Sequence, residues 1–280
     1  MSLPSFLCIG AQKAATSWLY LNLIEHPDVW MPPVKELHYF DHLYAPENRV
    51  WTHGHIKRGA RDAINSHVSN AEFVDLAYVK YLCDLALVDV FTESWYQRAF
   101  VRPQSAGKVL GDITPEYCTI PREGIEYVKS LLGDARLIYI IRDPVDRALS
   151  QIRMTADRRY GKGVRKLKEQ QWYEIVDKTP VSNRGDYKAY IPEWLDVFGE
   201  HNMLFIPFGK IRRDPRRVMK SVEQFLGLPE FKGYAAPKKR VHVTRKIKIP
   251  PRVIEHLADE LHQQRDFLQS YFSPDFLAMI

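Results

Sequence analysis

The chain has 280 residues, 45% of them hydrophobic and 26% charged, with three cysteines and a formal charge of +6. That is enough apolar content for one sizeable α/β core, read as a single domain over residues 1–280. Cys8, Cys83 and Cys118 lie far apart without CxxC spacing, no apolar run reaches membrane-spanning length, and no signal-like segment opens the chain. A cytoplasmic protein without disulfides or a transmembrane segment is therefore expected.

Residues 5–10 read as a short buried strand that passes through a small-residue loop into a helix from Thr16 to His26, where Leu19 and Leu23 share a face and Pro27 ends the element. Lys13, Thr16 and Ser17 stand at the turn. Loop amides between Gly10 and Thr16, the positive end of the helix and the Lys13 charge together describe an anion site. It is not a Walker A loop, because Ala14 and Ala15 separate Lys13 from Thr16.

Met31-Pro32-Pro33 leads, extended, into Lys35-Glu36-Leu37-His38-Tyr39-Phe40. Residues 44–70 are polar and weakly periodic and read as a long excursion or lid. Residues 72–87 carry mixed helical spacing, 108–114 a short strand, and 122–132 a helix ending at Gly133. Residues 135–141 form the clearest buried strand. The next helix starts sharply, with Asp143 as its cap, Pro144 in its first turn and Val145, Ala148, Leu149 and Ile152 as its apolar stripe. A helix over 187–198 must be kinked or begun by Pro192. A strand over 203–208, a helix from Asp214-Pro215 to Gly227 and a last long helix from Pro251 complete the chain. This alternation predicts a mainly parallel β-sheet flanked by helices on both faces, with ligands at the carboxyl ends of the strands.

The second informative segment is Arg142-Asp143-Pro144-Val145-Asp146-Arg147-Ala148-Leu149-Ser150. Arg142 leaves the strand end at the ligand edge, and Ser150 lies two turns along the helix on the same side. A guanidinium with a hydroxyl suits a phosphate monoester. Two anion sites at neighbouring strand ends fit a ligand carrying two separate phosphates.

Lys13-Ala14-Ala15-Thr16-Ser17 resembles the 5′-phosphosulfate loop of sulfotransferases that use 3′-phosphoadenosine 5′-phosphosulfate (PAPS), with Ala15 in place of the usual glycine. If that position needs φ > 0, its Cβ carries a cost. The Arg142 to Ser150 segment resembles their 3′-phosphate motif. His26-Pro27-Asp28, Lys35 to Phe40, Gly111-Asp112-Ile113-Thr114-Pro115, Tyr187 before Trp194, and Phe225-Leu226-Gly227-Leu228 recur in order in bacterial and heparan-type members. Many heparan-type enzymes carry Lys where this chain has Ile113.

The resemblance implies a P-loop-like fold, PAPS as donor, adenosine 3′,5′-bisphosphate (PAP) as product, and no metal. It places Glu36 as general base, with basicity raised by partial burial beside Tyr39 and Phe40. His38, sharing a face with Glu36 if the segment is extended, is the alternative base or its hydrogen-bonding partner. Lys13 would steady the departing oxygen, Thr16 and Ser17 would hold the 5′-phosphate, and Trp18 would pack on adenine or simply in the core. Arg245-Lys246 falls where an Arg-Lys-Gly phosphate loop belongs, with Ile247 replacing the glycine. The implied acceptor is a hydroxyl or amine of a small molecule, lipid or carbohydrate, with 44–105 as the acceptor-site insertion.

Two rivals stand beside this reading. One is a P-loop-type small-molecule kinase, against which the missing GK[ST] counts. The other is a non-catalytic nucleotide- or polyanion-binding protein, suggested by Ala15 and the basic residues between Lys210 and Lys248. No nucleic-acid module is recognisable. His38, His42, His53 and His55 with Asp41 have no convincing metal-ligand spacing, so no metal is expected.

Overall fold

Five short strands, β1 (Phe6–Gly10), β2 (Val29–Trp30), β3 (Val109–Ile113), β4 (Arg136–Ile141) and β5 (Met203–Pro207), form one sheet in the order β2-β3-β1-β4-β5. The structure is a computed structural model and describes residues 3–178, 183–235, 237, 241 and 247–280. Every strand pairing is parallel, with Leu7 opposite Asp112 and Leu137, and Ile138 opposite Leu204. All five strands therefore end on one edge, at Gly10, Trp30, Ile113, Ile141 and Pro207. β1 is buried throughout and β4 almost throughout, which is why their sequences are continuous apolar runs without alternation.

The helices are α1 (Thr16–Leu23), α2 (Tyr39–Tyr44), α3 (Arg49–Asn70), α4 (Leu76–Leu87), α5 (Glu93–Arg98), α6 (Arg122–Leu132), α7 (Pro144–Tyr160), α8 (Glu169–Lys178), α9 (Tyr187–Phe198), α10 (Phe208–Arg213), α11 (Pro215–Leu226), α12 (Pro251–Glu260), α13 (His262–Tyr271) and α14 (Pro274–Leu277). This is the P-loop-like α/β arrangement expected, a parallel sheet with helices packed on it. A smaller apolar cluster joins α7, α8 and α12 through Val145, Ile152, Trp172, Ile175, Val253 and Leu257. Among the described residues no helix is long and apolar enough to cross a membrane. Cys8 and Cys118 are buried packing residues, and burial pushes both thiols up to about 12.

Most of 44–70 is not an irregular excursion. It is α3, a continuous helix whose buried residues are Thr52, Ile56 and Ala60. These repeat every four positions, but one is polar and one is small, so the apolar periodicity that reveals most helices is missing. Gly59 lets this helix approach the 31–38 segment, since a Cβ there would lie 2.7 Å from Val34 Cγ1. β2 is only two residues long and has no sequence signature. α9 runs through Pro192, and the last helix is broken at Leu261.

The start of α7 is as read. Asp143 Oδ1 accepts from the Asp146 amide at 2.9 Å, and Arg265 grips the same carboxylate at 3.0 and 3.1 Å. With its direction fixed by cap, proline and ion pair, α7 carries the second anion motif away from the end of β4.

Candidate active site

The loop from β1 to α1 makes two left-handed turns, at Lys13 (φ 69°) and Ala15 (φ 68°). Ala15 is the residue before α1 and offers its first turn no side-chain cap. The amides that open α1, at Thr16 and Ser17, have no carbonyl one turn back to bind, so they remain donors for an anion. Lys13 Nζ lies 3.5 Å from Met154 Sδ of α7. Burial holds the Lys13 ammonium below the usual lysine range, and the charges of Arg158 and Arg142 push it the same way. Positive charge is thus concentrated at the end of β1.

Arg142 ties the two motifs together. Its Nη1 donates to the Lys13 carbonyl at 2.7 Å, its guanidinium lies 4.5 Å from the centre of the Phe208 ring, and Tyr187 Oη donates to its carbonyl at 3.0 Å. Its Nε is buried without a hydrogen-bond partner. Burial lowers the guanidinium pKa from its ordinary value. Ser150 is half-buried two turns into α7. Trp18 is buried, and its Nε1 donates to the Pro237 carbonyl at 2.7 Å, an arrangement that suits the core role. Arg245 and Lys246 lie outside the described residues.

The segment before α2 is not extended. Glu36 (φ 65°) and His38 (φ 53°) are both left-handed, and these two turns bring their side chains together, with Glu36 Oε2 3.8 Å from His38 Nε2. Lys35 Nζ bonds Glu36 Oε1. Burial pushes the Glu36 carboxyl up, but Lys35 and His38 together outweigh it and hold the group well below the usual carboxylate range. The expected rise in its basicity is therefore reversed. An opposite charge on each side wins over desolvation.

His38 is itself 1% exposed, and its Nδ1 faces Asp41 Oδ1 and Oδ2 at 3.1 and 3.0 Å. Burial disfavours the imidazolium, yet Asp41 and Glu36 raise its pKa to about 10. A ring protonated at neutral pH faces Glu36 as an opposite charge and not as a proton acceptor.

A profile described as the sulfotransferase family matches residues 4–232. The chain belongs to that family. It is 28% identical over 227 residues to human heparan sulfate glucosamine 3-O-sulfotransferase 6, covering 80% of this chain and 52% of that protein. It is 25% identical over 246 residues to mouse bifunctional heparan sulfate N-deacetylase/N-sulfotransferase 4, covering 83% of this chain and 23% of that one. The chain thus spans about half, or less, of the length of these curated relatives. Among solved structures, the sulfotransferase from Alicyclobacillus acidocaldarius superposes with a TM-score of 0.62 at 24% identity, covering 96% of both chains. The sulfotransferase domain from the curacin biosynthetic pathway superposes at 0.56 and 15%, covering 94% of this chain and 99% of that one. These likenesses confirm the fold.

Several residues beside this candidate site carry no motif of their own. Gln12 Nε2, in the first loop, donates to Glu116 Oε1 at 2.8 Å, and Arg184 Nη1 lies 3.3 Å from the same oxygen. Burial raises the Glu116 pKa, with Arg184 working against it. Asp112, at the end of β3, accepts from Tyr117 Oη at 2.7 Å, Thr114 Oγ1 at 2.8 Å and Tyr96 Oη at 3.1 Å. This hub fixes the strand end and, through Tyr117 Oη accepting from the Tyr39 amide at 3.1 Å, the start of α2. From α3, Trp51 and His55 stand one turn apart against the His38 ring, with centroids 4.6 and 4.8 Å away. The signal that finds them is their spacing of four, legible only once 49–70 is known to be helical.

Proposed function

We propose that this chain transfers the sulfuryl group of PAPS to a hydroxyl or amine of a small-molecule, lipid or carbohydrate acceptor. The observation that carries this reading is the bond from Arg142 Nη1 to the Lys13 carbonyl. It joins two cationic loops at adjacent strand ends, one suited to each phosphate of the donor. Thr16 and Ser17 would take the 5′-phosphate, Arg142 and Ser150 the 3′-phosphate.

In the transfer, the acceptor oxygen or nitrogen bonds to sulfur as the bond from sulfur to the bridging oxygen breaks. Lys13 neutralises the charge that collects on that departing oxygen. The acceptor proton goes to Glu36, which is ionised at neutral pH and needs no prior deprotonation, while His38 and Lys35 hold its carboxylate in place. The chemistry asks nothing of a metal. The kinase alternative is not favoured, since the loop lacks the Lys-Ser/Thr pair that a Walker A requires. We read 44–105, which supplies α3, α4 and α5, as the acceptor-side part of a single domain working in the cytoplasm. Ile113, where many heparan-type enzymes resemble one another in carrying Lys, makes a heparan acceptor the weaker choice.

PAP should raise the melting temperature far more than AMP or ATP with Mg²⁺, because only a ligand filling both phosphate sites gains both sets of contacts. Glu36→Gln should keep that stabilisation and lose turnover of labelled PAPS with a responsive acceptor. Equal protection by Mg-ATP would overturn the reading in favour of a kinase.

A further inference from the structure

The neighbourhood of Glu36 has a property that sulfuryl transfer does not call for. A carboxylate oxygen of Glu36, a ring nitrogen of His38 and a ring nitrogen of His55 lie within 4.8 Å of one another. They come from separate elements: Glu36 and His38 from the turn before α2, His55 from α3.

Several observations mark this group as more than a chance cluster. His38 Nε2 is buried without a hydrogen-bond partner, and the ring is almost wholly enclosed. The other nitrogen of that ring, Nδ1, is held by the fully buried carboxylate of Asp41, which Asn48 Nδ2 fixes in turn at 2.9 Å. A carboxylate on the far nitrogen of an imidazole is the arrangement that orients histidine ligands and raises their donor strength. His55 is likewise oriented by its Nε2, 2.9 Å from the Lys35 carbonyl.

We propose that Glu36, His38 and His55 form a binding site for a divalent ion of the zinc type, and that its occupation takes Glu36 out of the transfer reaction. Two imidazoles and one carboxylate are a donor set for Zn²⁺ and its neighbours, not for Mg²⁺ or Ca²⁺, which prefer oxygen alone. Bonds of about 2.0–2.1 Å in a tetrahedron place donors roughly 3.3 Å apart, so each needs to move inward by less than about 1 Å. Glu36 can do this by releasing Lys35, because its side chain is 26% exposed. On binding, the ion takes the nitrogen lone pair of His38 and the proton held there leaves to solvent. Three protein ligands leave a fourth position for water, unlike a closed structural zinc centre. The inhibitory half of this inference rests on Glu36 being the base.

Calorimetric titration of chelator-treated protein with ZnCl₂ decides whether the site exists. One ion per chain is expected, with affinity falling at least tenfold in His55→Ala and in Asp41→Asn, the latter through the orienting carboxylate. Circular dichroism melts establish that each variant is folded. Co²⁺ should give the visible absorption of a tetrahedral site in the unsubstituted protein and not in His55→Ala. Zinc binding of equal strength in the unsubstituted chain and His55→Ala, or no binding at all, overturns the site. For the regulatory half, the ratio of PAPS turnover with and without Zn²⁺ is compared. It should fall in the unsubstituted enzyme and recover toward one in His55→Ala, and an unsubstituted enzyme indifferent to saturating zinc refutes it. A chain that binds zinc but never turns over PAPS with any acceptor contradicts the proposed transfer while leaving the calorimetric result for the site intact.

Discussion

Ala15 sits at φ 68° and ψ 25°, in the left-handed region where an L residue with a Cβ costs roughly 1–2 kcal/mol. A glycine there removes that strain and adds about 0.4–1 kcal/mol of unfolded-chain entropy. Strain is the larger effect, so Ala15→Gly should stabilise the protein by up to about 1 kcal/mol in urea unfolding, with no loss of PAP affinity. A destabilised variant would mean that the alanine methyl packs favourably enough to outweigh its backbone. Here the sequence was explicit, because a loop that resembles one with glycine at this place declares its backbone requirement.

Glu36 and His38 were legible as residues but not as geometry. Glutamate is not a residue type that announces a left-handed turn, and the pairing depends on Asp41, Lys35 and α3 all closing around the two side chains.

His42 offers a pH test nearby. Its ring stacks on Phe91 with centroids 3.7 Å apart, and its Nδ1 lies 2.7 Å from Thr52 Oγ1. Burial, then the charges of His53 and Arg49, lower its pKa from 6.5 to about 4. The unfolded chain therefore binds a proton between those values that the folded chain does not. Stability from His42 is complete above about pH 6.5 and is lost as the pH falls toward 4. In His42→Gln, the unfolding midpoint should vary less between pH 6.5 and 4.5 than in the parent. Parallel curves over that interval would show that His42 titrates normally.

At the scale of elements, α3 shows what binary patterning leaves out. Its buried residues are Thr52, Ile56 and Ala60, and Gly59 on the same helix meets Val34 just before Lys35 and Glu36. Small residues allow close approach without presenting an apolar stripe, so the helix could not be read although it delivers Trp51 and His55 to His38. α7 was legible for the opposite reason, since its cap, first-turn proline and apolar face all point the same way.

The close approach is testable with Gly59→Ala. Helix propensity alone would favour alanine by about 1 kcal/mol, but a methyl 2.7 Å from Val34 Cγ1 must push either the helix or the 31–38 segment aside. Overpacking of this kind costs about 1–3 kcal/mol. Net destabilisation is expected, with turnover reduced more than PAP affinity, because the displaced segment carries Glu36 and not the phosphate loops. A more stable Gly59→Ala protein would show that Val34 can yield freely and that α3 does not set the position of Glu36.

At the scale of the whole molecule, the parallel sheet explains why both anion motifs could be found separately and joined by inference. β1 and β4 are neighbours, and each carries its motif at its carboxyl end. The consequence is a sheet edge that gathers Lys13, Arg142 and Arg158, where burial and then Arg158 and Arg142 oppose the ionisation of Lys13 and Glu36 favours it. Crowded positive charge of this kind is expected to be relieved when an anion binds to the native state. Lys13→Met keeps most of the length and apolar contact of the side chain, including its place beside Met154, and removes the charge. The unliganded variant should therefore be more stable than the parent, by about 0.5–2 kcal/mol, or a Tm increase of a few degrees. PAP should then add less to its Tm than it adds to the parent's, and kcat should fall by roughly 10²-fold or more, as when one electrostatic stabiliser of a transition state is removed. The three readings belong together, because the one charge that burial and its cationic neighbours oppose is the charge proposed to steady the departing oxygen. If Lys13→Met lost stability while retaining kcat, Lys13 would be a packing residue and the cationic edge of the sheet would have to act through Arg142 alone.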